Sequence, residues 1–226
     1  MSRSRHRPSW VASAGATLVA AALIAGLSLI AGNAIARADL PQLDGRIPPL
    51  AYDAYRAASD QAGAISGGCA VDWTVLAGLG RVESRHGLFE PGHRIAANGD
   101  VTPAIRGPQL DGTGGTLAIS DTDGGAIDGD PVWDRAMGPL QFIPTTWAQI
   151  GRDGNADGVA DPDNLYDAAI TAVAHLCLRE PGDYADRSAL RRALLAYNAS
   201  GRYADQVLGW IDRYASLPLD EVVAPA

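Results

Sequence analysis

From residue 88 to residue 132 the chain loses every trace of helical period, and that break limits what it can fold into. Asn98-Gly99-Asp100, Asp111-Gly112, Asp121 to Gly125 and Asp128-Gly129-Asp130 are turn sequences that neither a continuous helix nor a long strand accommodates. On both sides of this stretch apolar residues recur at helical spacing. Leu50 to Ala64 carries Ala51, Tyr55, Ala58 and Ala62 on one side and ends at Gly67-Gly68. A second helix follows, with Val71, Val75, Leu79 and Val82 at spacings of four, four and three, and it stops at Gly87 and the Pro91-Gly92 turn. Beyond the break, Pro144 opens a short helix through Trp147 and Ile150. Further helices are expected over Asp167 to Leu178, from Ser188 as N-cap to Asn198, and over Tyr203 to Ser216 with Val207, Leu208, Ile211 and Tyr214 inward. No run of strands is evident, although a short hairpin fits within 88–132. The expectation is a mainly α domain over residues 49–217 with a long Gly/Asp-rich loop insertion, after a linker at 39–48 and before a tail at 218–226. Ile95, Leu110, Leu117, Ile119 and Ile127 would anchor that insertion as a partly ordered flap over a cleft.

The first 38 residues have the build of an export signal. Arg3, Arg5 and Arg7 precede an apolar run from Val11 to Ala31, and Ala36-Arg37-Ala38 offers a small-residue cleavage site before Asp39. The run at 11–31 is also long enough for an uncleaved membrane anchor. No cysteine follows it closely, which removes a lipoprotein. The chain carries 18 cations, all arginine, against 26 acids, a net charge of −8; without the four arginines of the signal the balance is 14 against 26, or −12. Such a surface excludes nucleic acid as the general partner. Cleavage leaves enough chain for one domain with a real core, expected as a monomer. The two cysteines, Cys69 and Cys177, both lie in the exported part and are expected to form a disulfide.

Glu83 is the leading candidate for chemistry. It stands at the edge of an apolar stripe, four residues after Leu79 and seven after Leu76, in the last turn of its helix. A carboxyl among apolar groups stays protonated near neutral pH, which suits a general acid. The plainer alternative is a surface acid paired with Arg81 or Arg85. Two further stretches stand out. Met137-Gly138-Pro139-Leu140-Gln141-Phe142 places a glycine for close backbone approach beside a glutamine able to donate and accept, and Ala196-Tyr197-Asn198 closes a helix with its tyrosine inward.

Taken in order, Glu83-Ser84, Met137 to Gln141 and Ala196-Tyr197-Asn198 resemble the lytic transglycosylases of the lysozyme-like superfamily. The likeness leans toward the membrane-bound transglycosylase B branch in its actinobacterial form and spans roughly residues 47–217. Leu140 stands where that family commonly has Met, a volume-conserving change. The resemblance implies a lysozyme-like fold and peptidoglycan glycan strands as the partner. It makes Glu83 the single catalytic acid and base, cleaving between N-acetylmuramic acid and N-acetylglucosamine with formation of a 1,6-anhydromuramoyl end and no cofactor for catalysis. Ser84, Met137, Gly138, Gln141, Phe142, Tyr197 and Asn198 would bind substrate, and Phe142, Trp133 or Trp147 would stack on a sugar face. The alternatives are a hydrolytic muramidase, whose second carboxylate would come from Asp123, Asp128 or Asp134, and a non-catalytic wall-binding protein.

A last motif, Asp153 to Asp161, matches the first nine positions of a calcium loop. Asp153, Asn155, Asp157 and Asp161 occupy positions 1, 3, 5 and 9, Gly158 supplies the turn, and Val159 offers its carbonyl. Position 12 is Asn164 rather than Glu, which either weakens affinity or shifts the closing ligand to Asp163 or Asp167. Any Ca²⁺ bound there would be structural.

Overall fold

The helix that carries Glu83 forms because Asp72 caps it: the carboxylate accepts from the Thr74 N–H at 2.9 Å and the Thr74 hydroxyl at 2.6 Å. A run of small and aliphatic residues follows. This helix belongs to a computed structural model that describes residues 45–225. The expected signal or anchor at 1–38, and the linker up to residue 44, lie outside the described residues.

Among the described residues eight helices and four short strands run in order. They are α1 (Pro49–Ser59), α2 (Ala62–Ile65), α3 (Trp73–Ser84), β1 (Arg94–Ile95), β2 (Val101–Thr102), β3 (Arg106–Gln109), β4 (Arg135–Met137), α4 (Pro144–Ile150), α5 (Leu165–Arg179), α6 (Arg187–Tyr197), α7 (Gly201–Ser216) and α8 (Leu219–Val222). The domain is mostly helical with two small sheets, β1 against β2 and β3 against β4, both antiparallel. Helix α3 packs most extensively on α7 and also touches α1 and α5, while α1 lies on α5. Its central position follows from its sequence: Val75, Leu76, Ala77 and Leu79 are each at most 2% exposed. At Gly80 the hydroxyl of Tyr55 stands 2.0 Å from where a Cβ would be, so only glycine lets α1 approach this closely.

The expected helices are present with shifted ends. The first breaks at Asp60, which caps α1, and restarts as α2, turning Ala62 into the core at 2% exposure. Helix α6 is capped by Asp186, whose carboxylate accepts from the Ser188 N–H, so Ser188 is inside the helix rather than its cap. Both ends of the domain reach further than the patterning indicated. Ile47, read as linker, is fully buried and exchanges hydrogen bonds with Val222 and Ala224 of the expected tail. Apolar residues outside any periodic run gave no sign of this pairing.

The stretch 88–132 is ordered by strand pairing that its period did not announce. The Leu110 and Asp134 backbones pair at the base, Ile119 bonds Leu110, and Ser120 bridges Trp133. Leu110 is buried at 1% and anchors it as expected, whereas Ile95, Leu117, Ile119 and Ile127 are half-buried. The expected disulfide is present: Cys69, just before α3, is bonded to Cys177 of α5 with Cα atoms 5.7 Å apart, closing a loop of 108 positions. In the chain-entropy picture it stabilises by about 3–5 kcal/mol. Among the described residues no helix is long and apolar enough to cross a membrane.

Candidate active site

Three hydrogen bonds between residues far apart in sequence assemble the site. The Ser84 hydroxyl donates to the Pro139 carbonyl at 2.6 Å across 55 positions. The Tyr197 hydroxyl donates to the Leu140 carbonyl at 2.8 Å across 57 positions. The Tyr203 hydroxyl donates to Glu83 Oε1 at 2.5 Å across 120 positions. The end of α3, the turn after β4, the end of α6 and the start of α7 therefore meet at one place. The three sequence motifs are brought together.

Glu83 is 6% exposed. Burial pushes its carboxyl up to about 7, and the Tyr203 hydroxyl works against that by stabilising the anion. No ion pair of Glu83 with Arg81 or Arg85 is present among the described residues; Arg81 instead lies over the Trp210 ring at 4.6 Å. At neutral pH the acid is therefore balanced between its two protonation states, the condition a group needs to give a proton and then take one. Burial, with Glu83 as the next cause, holds the hydroxyls of Tyr197 and Tyr203 well above the ordinary phenol range, so both remain donors.

The turn after Glu83 is unusual. Arg85, His86 and Gly87 all have left-handed backbones, with φ of 54°, 63° and 87°. For two non-glycine residues that conformation costs on the order of 1–3 kcal/mol each and persists only where surrounding contacts impose it. Ser84 supplies one contact, since its oxygen also accepts from the Gly87 N–H at 2.7 Å. Gln141, on the facing turn, is left-handed too, with φ 53°, and its side-chain amide donates to the Gly138 carbonyl at 2.8 Å. Gly138 has φ 70°, and a Cβ there would lie 1.8 Å from the Pro162 carbonyl oxygen. The close approach expected at this glycine is thus made by the protein's own chain.

Several residues expected to bind substrate serve the fold. Ser84 is 1% exposed, with its hydroxyl used on both sides. Met137 is fully buried and pairs its backbone with Phe142 in both directions. Phe142 and Trp147 are 4% and 6% exposed, and the Phe142 ring packs against Trp147, His175 and Tyr197 at centroid distances of 5.6, 6.4 and 5.7 Å. These two rings are core rather than sugar platforms, whereas Trp133 is half-buried. Asn198 is 2% exposed, ends α6, and accepts from the Ser200 N–H. Gln141 and Tyr197 are half-buried and are the two of the set with surface toward solvent beyond these contacts.

The residue that sequence reasoning missed is Tyr203. It begins the stripe Tyr203, Val207, Ile211, Tyr214 of α7, one turn after the Ser200 cap. Its inward direction was readable from that spacing; its partner was not.

The candidate second acids are committed elsewhere. Asp123 accepts from the N–H groups of Gly125, Ala126 and Ile127. Asp128 accepts from those of Asp130 and Arg135, and Asp134 from the Thr122 N–H and hydroxyl. The Asp153 loop is treated in the same way. Asp153 accepts from Ala156, Asp157 and Gly158, Asp157 from Val159, and Asp161 from Asp163. Its proposed closing ligands have other duties: Asn164 caps α5 and donates to Asp100, Asp163 pairs with Arg106 at 2.7 Å, and Asp167 accepts from Gly154, Asn155 and Asp161. Among the described residues no group of three or more His, Cys, Asp or Glu is gathered to hold a metal ion.

No family model matches the chain, and no curated protein matches it. Among solved structures the chain is similar to the Escherichia coli lytic transglycosylase Slt35, in its complex with bulgecin A. The identity is 14%, the match covers 72% of this chain and 71% of that one, and the TM-score is 0.44. A likeness of that extent fixes neither activity nor substrate.

Proposed function

We propose that this protein is an exported lytic transglycosylase acting on peptidoglycan glycan strands, with Glu83 as its single acid and base. The observation that carries the reading is Glu83 itself: a buried carboxyl, pushed up to about 7, at the point where three separated motifs converge. In the first step Glu83 donates its proton to the glycosidic oxygen between N-acetylmuramic acid and N-acetylglucosamine, and the C1–O bond breaks as the leaving sugar departs. In the second, the Glu83 carboxylate takes the proton of the muramic C6 hydroxyl while that oxygen bonds to C1. The product carries a 1,6-anhydro ring, and no water is consumed.

A substrate hydroxyl as nucleophile makes a second carboxylate unnecessary. The local commitments of Asp123, Asp128 and Asp134 support this choice over hydrolysis. Tyr203 supports the first step, because its hydroxyl stabilises the carboxylate that forms as the proton leaves, and Gln141 and Tyr197 would contact the sugars. Mass spectrometry of fragments released from purified peptidoglycan by the full-length protein tests the reading. Anhydro ends are expected. Reducing ends, heavier by one water, would make the protein a hydrolase, and binding without release would make it a wall-binding protein.

A further inference from the structure

We propose that His86 is a positioning residue for Glu83, pinning the left-handed turn behind the acid to α1 and α7 at once. The inference rests on reading Glu83 as the acid, and it assigns work to a buried ring that the proposed chemistry does not use.

His86 is 1% exposed and bonded at both nitrogens. Nδ1 lies 3.2 Å from the Tyr55 hydroxyl of α1, and Nε2 lies 3.0 Å from the Tyr214 hydroxyl of α7. Tyr55 and Tyr214 are themselves 0% and 2% exposed. Burial first, and the facing Arg81 guanidinium second, hold the imidazole neutral, with its pKa lowered to about 3. A neutral imidazole has one N–H, so one tyrosine donates to the ring and the other accepts from it. The chain of three groups therefore has a direction, and each of its buried polar atoms has a partner.

The backbone shows what the pin holds. The His86 N–H donates to the Gly80 carbonyl at 2.8 Å, folding the turn back over α3, and the Tyr55 hydroxyl occupies the space that a side chain at Gly80 would need. Helix α7 reaches this turn twice, through Tyr203 to the Glu83 carboxyl and through Tyr214 to the His86 ring. Those tyrosines are about three helical turns apart, so one rigid element fixes both the acid and the turn that follows it. With the ring bonds removed, the turn is left to the Ser84 bond to the Gly87 N–H and to its backbone bonds, and φ at His86 is freer to relax toward ordinary values. Relaxation there rotates the last turn of α3 and opens Glu83 to water.

Full-length His86→Phe, His86→Gln, Tyr214→Phe and Tyr55→Phe proteins test this, each with ¹³C titration of the Glu83 carboxyl, steady-state kinetics and thermal melting. Phe keeps the ring's bulk and removes both bonds; Gln supplies one donor and one acceptor. In His86→Phe the Glu83 titration should move down toward the ordinary carboxylate range. Its kcat should fall by up to about 10²-fold with KM nearly unchanged, the scale of loss for a displaced catalytic group. His86→Gln should restore part of both, and each single Tyr→Phe change should show a smaller shift in the same direction. A Glu83 titration that stays in place while only the melting temperature falls would overturn the proposal. If His86→Phe does not fold, the two Tyr→Phe proteins, each lacking one oxygen, give the same decision. The titration needs no turnover, so failure of the transglycosylase reading would show separately, as absence of fragments from the wild type.

Discussion

Glu83 and Asp130 are almost equally withdrawn from solvent, 6% and 7% exposed, yet the first carboxyl is pushed up to about 7 and the second down to about 2. Desolvation is the largest influence on Glu83, whereas at Asp130 the hydrogen-bond donors outweigh it. Asp130 accepts from the Gln109 amide, the largest cause, and also from the Val132 and Trp133 N–H groups and from Arg135 at 2.8 Å. Glu83 receives one hydroxyl. A carboxylate supplied with donors is part of the fold, whereas one left short of them stores a proton. The contrast extends to their surroundings. Around Asp130 most bonds run to residues two to seven positions away, while the bonds that build the Glu83 site span 55 positions or more.

The sharpest way to break this comparison is Glu83→Gln, which keeps the shape and removes the proton. Release of fragments should fall by about 10³-fold or more, near the upper range for a general acid. Stability should move the opposite way. The folded-state pKa of Glu83 is raised, so the wild type is favoured where the group is protonated in both states, below the ordinary carboxylate pKa. It loses that stability as pH rises from there through about 7. Glu83→Gln should therefore melt higher than wild type at pH 8 and match it more closely at pH 4. A mutant with wild-type turnover would remove Glu83 from the chemistry.

Tyr203→Phe comes next in size. Its hydroxyl lowers the Glu83 pKa, so its loss should raise that pKa further and carry the alkaline limb of the activity profile to higher pH. The rate should fall by roughly 10-fold to 100-fold, the weight of one hydrogen bond to a charged group. An unmoved alkaline limb would mean that the observed contact does not govern the proton.

How legible these two regions were in sequence differs for the same physical reason. Amphipathic period located the helices, because an apolar face follows from spacing alone, and a pair of cysteines in a chain read as exported gave the disulfide. The ordered motifs pointed to one site and to Glu83. Tyr203 was visible as an inward residue of α7, but which of several nearby polar groups it meets depends on how α7 crosses α3. The roles of Ser84 and Asn198 were hidden likewise: a side chain that binds a ligand and one that closes a turn have the same spacing. The order within 88–132 was legible only as apolar anchors and room for a short hairpin, because Asp-to-N–H bonds and two-residue strands leave no period.

Substitutions within that ordered stretch should do less to activity and more to local order. Asp123→Asn and Asp130→Asn should leave turnover within about threefold of wild type, as for changes away from reacting groups. Protease sensitivity between residues 120 and 133 should rise in both. Asp130 adds an acid-side signature. Its folded pKa is depressed, so its stabilisation is present above the ordinary carboxylate pKa and is lost as pH falls through about 2. Asp130→Asn should flatten that part of the stability curve. Abolished cleavage in a folded Asp123→Asn protein would instead supply the second carboxylate of a hydrolase and end the single-acid reading.

The smallest effect is expected from calcium. Four residues of the Asp153 loop have the right chemistry and order, yet the oxygens of Asp153, Asp157 and Asp161 already accept loop N–H groups, and Asp163 is paired with Arg106. Among the described residues no three such groups are gathered to hold an ion, so one would have to draw them together against the N–H bonds that fix their places. Millimolar Ca²⁺ should therefore leave the melting temperature and the calorimetric baseline unchanged, and chelation should not alter turnover. A saturable heat with a rise in melting temperature would show that the loop rearranges around a cation. It would also move this loop to the other side of the comparison, with carboxylates that are short of donors until the ion arrives.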